Sequence, residues 1–550
     1  MDRVSVFARR QRIRNLEQWT IYAILVEAFF LALSPTVAAA AVMFGVITWF
    51  MRSRIDTRYK MRSLPFDVPV TIFLLIGAVS VLLSSARSFA LIYNYCMLVG
   101  IYGLTYLIVG QTIRTPAQIK QVVKALGVSA VLVVLWGYFQ FIFGVDIADM
   151  KWTDPEAFPE LRKRIFSTLE NPNVLAGYLD VFICLALGFL TKVEHRSQKI
   201  VLTVAIIMLA ACLAMTYSRG AFLAIAVVFL IFGVIKDWRV LILFAIVTGL
   251  IAYNDANFIN RIFSAFTMND SSEGVRLGIW ASTIAMISDH PFAGIGWGAY
   301  QYIYPQYNFY IADANIIIYH AHNIYLNFAA EIGIVGALAF FWYFFGTMFM
   351  SFGAGELIAE DNDSSFLDRA KKFFSNSSAM QYLLELAEVI DKKFADFSNS
   401  VMDLFTKREP TTRKVKKTNH PQLELVHHDE MKWGKRRHRH AYDKKSATDE
   451  RVTSIDKIPV GGENISVKSV HVDGSEKIPD NNQKSSLLDF NDITKINDRA
   501  FLDGLRLGIG LAFLSMALNG LTDDLLFNIP SSMLMWQLGA LGAAINSIRN

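Results

Sequence analysis

Apolar residues fall in long blocks separated by short polar connections. Blocks of roughly 17–25 residues suit a helix crossing a bilayer. They occur at about 18–33, 36–51, 67–85, 89–111, 120–144, 171–191, 199–216, 220–235, 239–254, 323–350, 502–519 and 531–547. The pattern predicts an all-α polytopic membrane protein of about 12 transmembrane helices. Residues 1–254 carry spans one to nine, 323–350 the tenth, and 501–550 the last two. A large loop, 255–322, and a long polar insert, 351–500, interrupt the series.

Charge gives the blocks an orientation. Lys and Arg collect at the N-terminus and in 52–62, 114–124, 192–199, 236–239 and the insert, which are alternate connections. The positive-inside rule makes these cytoplasmic, with both termini inside. The connections 34–35, 86–88, 145–170, 217–219, 255–322 and 520–530 then face outward. The basic start, Arg9 to Arg14, resembles a signal peptide, but spans continue directly after Ser34-Pro35, so we expect an uncleaved first helix.

Composition agrees. Of 550 residues, 53% are hydrophobic and 18% charged, with mean hydropathy +0.35, whereas soluble domains carry about 25% charge. Cys96, Cys184 and Cys212 lie in separate apolar blocks and form no CxxC, so neither a disulfide framework nor a zinc site is expected. In the insert, 357–406 has helical periodicity, with Phe366, Phe373, Leu383, Ala387, Ile390, Phe394 and Phe397 on apolar faces. Residues 410–497 have the composition of a disordered segment. Seven Lys or Arg between Lys432 and Lys445 suit contact with anionic membrane lipids. Nothing resembles a nucleic-acid-binding fold. His420, His427, His428, His438 and His440 match no metal-site spacing and are expected in a solvated tail.

The candidate chemistry faces outward. Arg219, in Ser218-Arg219-Gly220-Ala221, must lie at the outer membrane boundary, where cations are scarce. In the large loop, Ile279, Trp280, Ile284 and Ile287 predict a short helix lying on the membrane, with Arg276 in its first turns. Gly294, Gly296 and Gly298 allow close backbone approach or unusual dihedrals. His320 and His322 stand two apart, and no third metal ligand is obvious, so no metal site is expected. An imidazole suits general base chemistry near neutral pH. His320 is expected to support the loop, and Asp313 is an alternative base. Glu331, near the start of span ten, calls for a partner such as Arg219 or Arg164. Arginines suit phosphate, and the set fits transfer from a lipid diphosphate to a sugar hydroxyl. A transporter is a poorer fit, because no internal repeat is visible and the residues gather at one face.

These residues resemble the O-antigen ligase and polymerase superfamily of bacterial membrane glycosyltransferases. The resemblance rests on Arg164-Ile165-Phe166-Ser167 with Asn171-Pro172-Asn173, then Ser218-Arg219-Gly220-Ala221 and Arg276 to Trp280. It continues through Gly294 to Gly298, His322-Asn323-Ile324-Tyr325-Leu326 and Glu331-Ile332-Gly333. It implies a GT-C-like fold in the inner membrane with a large periplasmic loop. It also implies an undecaprenyl-diphosphate-linked glycan donor and a lipid or glycan acceptor, without metal or other cofactor. By resemblance, Arg219, Arg276 and Arg164 would bind the diphosphate and His322 would be the base. His320, Asn323, Glu331, Asn173 and the three glycines would support them. A ligase is expected ahead of a polymerase. The 351–500 insert departs from the family pattern and is expected to meet lipid or a cytoplasmic protein partner.

Overall fold

The computed structural model describes residues 3–86, 88–144, 164–236, 238–254, 271–309, 317–353 and 497–549. All lie in one compact unit, Met1–Leu384 with Ser485–Asn550. Asp313, most of the insert with its expected amphipathic helices, its basic run and its histidines lie outside the described residues.

Regular structure among the described residues is entirely helical. Helices α1 (Arg3–Phe30), α2 (Pro35–Ile55), α3 (Asp67–Leu83), α4 (Phe89–Thr112) and α5 (Pro116–Phe143) lead the chain. Next come α6 (Pro172–Leu190), α7 (Arg196–Ala214), α8 (Arg219–Ile235), α9 (Arg239–Asn254) and α10 (Ser271–Asp289). Then follow α11 (Ile324–Ser351), α12 (Asp498–Asn519) and α13 (Ile529–Arg549). Apart from α10, each overlaps an expected span, although α1 begins at Arg3, well before the expected start at 18. Seven (α2, α4, α5, α6, α7, α11 and α12) are long and apolar enough to cross a membrane. Three more, α3, α8 and α9, are shorter apolar helices. The chain is a multi-pass membrane protein.

Local sequence explains where helices start. Proline stands in the first turn of α2, α5 and α6, where its missing N–H costs nothing. Thr115 and Gln118 close a reciprocal cap on α5. Asn171 caps α6 and Asn323 caps α11. The two asparagine caps set the entry of the segments that carry Asn173 and His322.

Helices α6 and α12 pack closely. A methyl on Gly188 would collide with backbone atoms of Gly504 and Gly508, so small residues let these helices approach directly. Higher up the same interface, Ser515 donates to the buried Asp180 carboxylate at 3.2 Å. Beside them Tyr343 and Trp536 stack at 4.5 Å in an aromatic core.

Two ends of the bundle are each tied together by loop contacts. At one end Thr168 Oγ1 donates to Ala32 O (2.7 Å), Ser84 Oγ to Ile295 O (2.5 Å) and Ile324 N to Gly520 O (2.8 Å). At the other, Lys120 pairs with Asp498 at 2.7 Å and Arg506 reaches Met350 O at 3.2 Å.

Helix α10 belongs to the first end. Its face does not match the sequence expectation in detail. Ile279 and Met286 are buried against Ile295, Tyr300 and Ile303, whereas Ile284 is 54% exposed. Five residues turn a helix well past a quarter of its circumference, so Ile279 and Ile284 cannot share one narrow face.

Candidate active site

Four connections meet at that end: 164–171 before α6, 215–218 before α8, 317–323 before α11 and 520–528 between α12 and α13. The large loop adds Arg276 and the glycine turn.

The glycine turn docks on a break in α11. Gly333 has φ 70°, ψ 170°, inside what is otherwise one helix. The break frees backbone groups that the turn satisfies. Ile295 N donates to Ala330 O (2.8 Å), Gly296 N to Glu331 O (2.9 Å) and Ile334 N to Pro291 O (2.8 Å). Gly294, Gly296 and Gly298 all have positive φ, at 70°, 115° and 73°, and a methyl on Gly294 would strike the Glu331 carbonyl. Unusual dihedrals and close approach, both expected of this motif, occur together. Glu331 is buried, and its carboxyl accepts from the backbone N–H groups of Gly298 and Tyr300. Its described partners are thus amides of the glycine turn, where a guanidinium was expected.

His322 also has a left-handed backbone, φ 49°. Its N–H donates to His320 Nδ1 at 3.2 Å, and the two rings lie 4.2 Å apart. Its own Nδ1 lies 3.1 Å from Asp523 Oδ1. An ionised carboxylate only accepts, so in the neutral ring Nδ1 carries the proton and Nε2 keeps the lone pair. Asp523 also accepts from Asn173 Nδ2 through Oδ2 at 2.9 Å. Asn173 Oδ1 in turn accepts from Arg164 at 2.8 Å, and Arg164 Nε donates to Thr216 O at 2.7 Å. A continuous chain therefore runs from Arg164 through Asn173 and Asp523 to His322.

Electrostatics keep Asp523 ionised. Burial pushes the Asp523 carboxyl up, but the hydrogen bond from His322, with the charge of Arg276, holds it below the ordinary carboxylate value. Burial, then the neighbouring His322 and Arg276 against the opposing charge of Asp523, lower His320 to about 3, so it is neutral. Arg276 is therefore close enough for its charge to act on both groups. Asp524 is raised to about 7 by burial and by Asp523.

Arg219 is the first residue of α8. The next residue, Gly220, sits against Thr522 and Asn519, so Arg219 starts beside the turn that presents Asp523. Asn323 caps α11 and donates to Leu521 O at 3.0 Å, fixing the His322 segment to the same turn. The structure thus gathers Arg164, Asn173, Arg276, His320, His322 and Asn323 around one group, with Arg219 at its edge. Glu331 and the three glycines lie behind it as support. The member missed from sequence is Asp523. Its signal was the adjacent pair Asp523-Asp524 in a short connection on the candidate side of the membrane.

Residues 204–341 match the family model described as O-antigen ligase. This match, over part of the chain, supports membership of the O-antigen ligase and polymerase superfamily. No curated protein matches the chain. The matched segment contains Arg219, Arg276, the glycine turn and the His320–His322 pair. The match supports a membrane glycosyltransferase of ligase or polymerase type, a family whose substrates are lipid-linked glycans.

Proposed function

We propose that this superfamily member is a ligase-type glycosyltransferase that moves a glycan from undecaprenyl diphosphate to an acceptor sugar hydroxyl, such as one on lipid A-core, at the outer face of the inner membrane. The observation that carries the reading is the His322–Asp523 pair, 3.1 Å apart, under the charge of Arg276.

In this reading His322 Nε2 takes the proton of the acceptor hydroxyl. The oxygen attacks the anomeric carbon, the carbon–oxygen bond to the diphosphate breaks, and the anomeric centre inverts. Asp523 fixes the ring tautomer and stabilises the imidazolium as it forms. Arg276 and Arg219 meet the charge that develops on the leaving diphosphate, so the reaction needs no metal. Arg164 and Asn173 brace Asp523, which ties Arg164 to the base as well as to the diphosphate role the resemblance implies.

The rest of the reading follows from topology. All twelve helices other than α10 cross the membrane in a GT-C-like bundle, and both termini are cytoplasmic. The cations of 52–62, 114–124 and 192–199 are at the end opposite the candidate site, which supports this orientation. The 351–500 insert is then cytoplasmic and free to meet anionic lipid or a protein partner.

The test is transfer by purified protein, supplied with undecaprenyl-diphosphate-linked glycan and a lipid A-core acceptor. Wild type is expected to form the ligated product, and His322→Ala and Arg276→Ala to form none while still inserting. Normal transfer by either variant would sink the assigned roles. Product lengthened on the carrier, with none on the acceptor, would identify a polymerase.

A further inference from the structure

The fold supplies the third metal donor that sequence did not reveal. His320, His322 and Asp523 each offer one ligand atom, and the three atoms lie within 4.8 Å of one another. Two imidazoles and one carboxylate are a donor set for borderline divalent cations. The carboxylate is already oriented from behind, because Asp523 Oδ2 accepts from Asn173, which Arg164 holds. The His322 side chain is 33% exposed, so a cation has a route in and a solvent-facing coordination position.

We infer that His320, His322 and Asp523 form a capture site for a borderline divalent cation such as Zn2+, and that its occupation silences the enzyme. The separation of 3.1 Å between His322 Nδ1 and Asp523 Oδ1 fits two neighbouring ligands on one ion. With bonds of about 2.0–2.2 Å, adjacent zinc ligands stand roughly 3–3.5 Å apart. His320 has to close in by about 1 Å or more to reach the same ion. Arg276 places a cation nearby, so capture is weaker than at a structural zinc site.

Silencing follows from the imidazole ring. A neutral ring carries one proton. With Asp523 as acceptor, that proton sits on Nδ1 and leaves Nε2 free as base. A cation on Nδ1 displaces it, and the ring proton then resides on Nε2. Proton number is unchanged at the ring, but the nitrogen that must receive the acceptor's proton is occupied. The silencing step rests on His322 being the base, as proposed above. The capture step does not.

The test uses full-length protein in nanodiscs titrated with Zn2+ alone, followed by calorimetry, with Co2+ absorption as a second readout. Wild type is expected to bind one more equivalent than the His320→Gln/Asp523→Asn double variant. A second variant, with His420, His427, His428, His438 and His440 all changed to Gln, leaves the bundle untouched and is expected to keep that equivalent. Loss of all binding in this second variant, or identical isotherms for wild type and the double variant, overturns the capture site. Zinc is further expected to lower wild-type transfer at least tenfold, reversibly on chelation. Full transfer by zinc-loaded protein overturns the silencing. If the protein transfers no glycan with or without zinc, the functional reading fails, and the binding measurement still decides the capture site.

Discussion

His322 adopts a left-handed backbone that a residue with a Cβ enters at a cost of about 1–2 kcal/mol. The surrounding contacts over-determine it, since the His322 amide donates to His320 and the next residue caps α11. What the conformation achieves is a ring aimed at Asp523. Removing the acceptor while keeping its shape should therefore cost rate before it costs binding. Asp523→Asn is expected to lower kcat by roughly 100-fold or more with KM little changed, the range of general base assistance. Steady-state transfer at varied donor concentration checks this, and an unchanged kcat would remove Asp523 from the mechanism. One step further out, Asn173→Ala leaves Asp523 Oδ2 without its 2.9 Å donor. The expected loss is about tenfold, typical of an orienting partner behind a reactive group. Should it match Asp523→Asn in size, Asn173 would have to act more directly than as a brace. His322, Arg219 and Arg276 were legible in the sequence because each sits in a distinctive short motif. Asp523 was not, because it stands 201 residues from its partner, and no local spacing reports such a contact.

Helix boundaries were legible for a plainer reason. An apolar block of bilayer length has few alternatives to a helix, since only helices satisfy their own backbone in lipid. Facing is harder to read, as α10 shows: its apolar residues point both into a small core and away from it, and the sequence does not say which. The break at Gly333 was visible only as a glycine inside span ten. Its consequence is that α11 is in two pieces, with the upper piece stitched to the glycine turn and carrying His322 at its start. Gly333→Ala meets both a positive φ and the Phe292 carbonyl. The upper piece must then shift, and transfer is expected to fall at least tenfold, because misplacing a reacting group by about 1 Å can cost 100-fold. Limited proteolysis of the variant distinguishes this from global unfolding, and a Gly333→Ala protein with normal transfer would show that the break is dispensable. The α6–α12 contact tests the opposite kind of element. Gly508→Leu drives a side chain into the Leu185 backbone and should cost more than the roughly 1–3 kcal/mol typical of overpacking. Because α6 carries Asn173 and α12 leads into Asp523, that variant should lose thermal stability in detergent and activity together. A melting temperature equal to wild type would mean the helices are not held that closely.

At the scale of the whole molecule, the candidate site and most of the positive charge of the described residues lie at opposite ends of the helices. Residues 192–199 contribute Lys192, Arg196 and Lys199 to one end, while the site end uses its arginines around Asp523 and the turn before it. This separation is what the proposed function requires: to hold a diphosphate at the outer leaflet, the bundle would use a few cations on the side where cations are otherwise scarce. Orientation is directly measurable. In a chain with Cys96, Cys184 and Cys212 changed to Ala, single cysteines are placed at Phe292, which is 79% exposed, at Phe527, which is 49% exposed, and at the exposed Lys192. A membrane-impermeant maleimide applied to spheroplasts is expected to label Phe292→Cys and Phe527→Cys at once, and Lys192→Cys only after permeabilisation. The reverse pattern would put His322 on the cytoplasmic side, where the proposed outer-face acceptor is out of reach. It would overturn the ligase reading even if every residue at the site behaved as argued, because the chemistry belongs to the group and the choice of acceptor belongs to the side of the membrane.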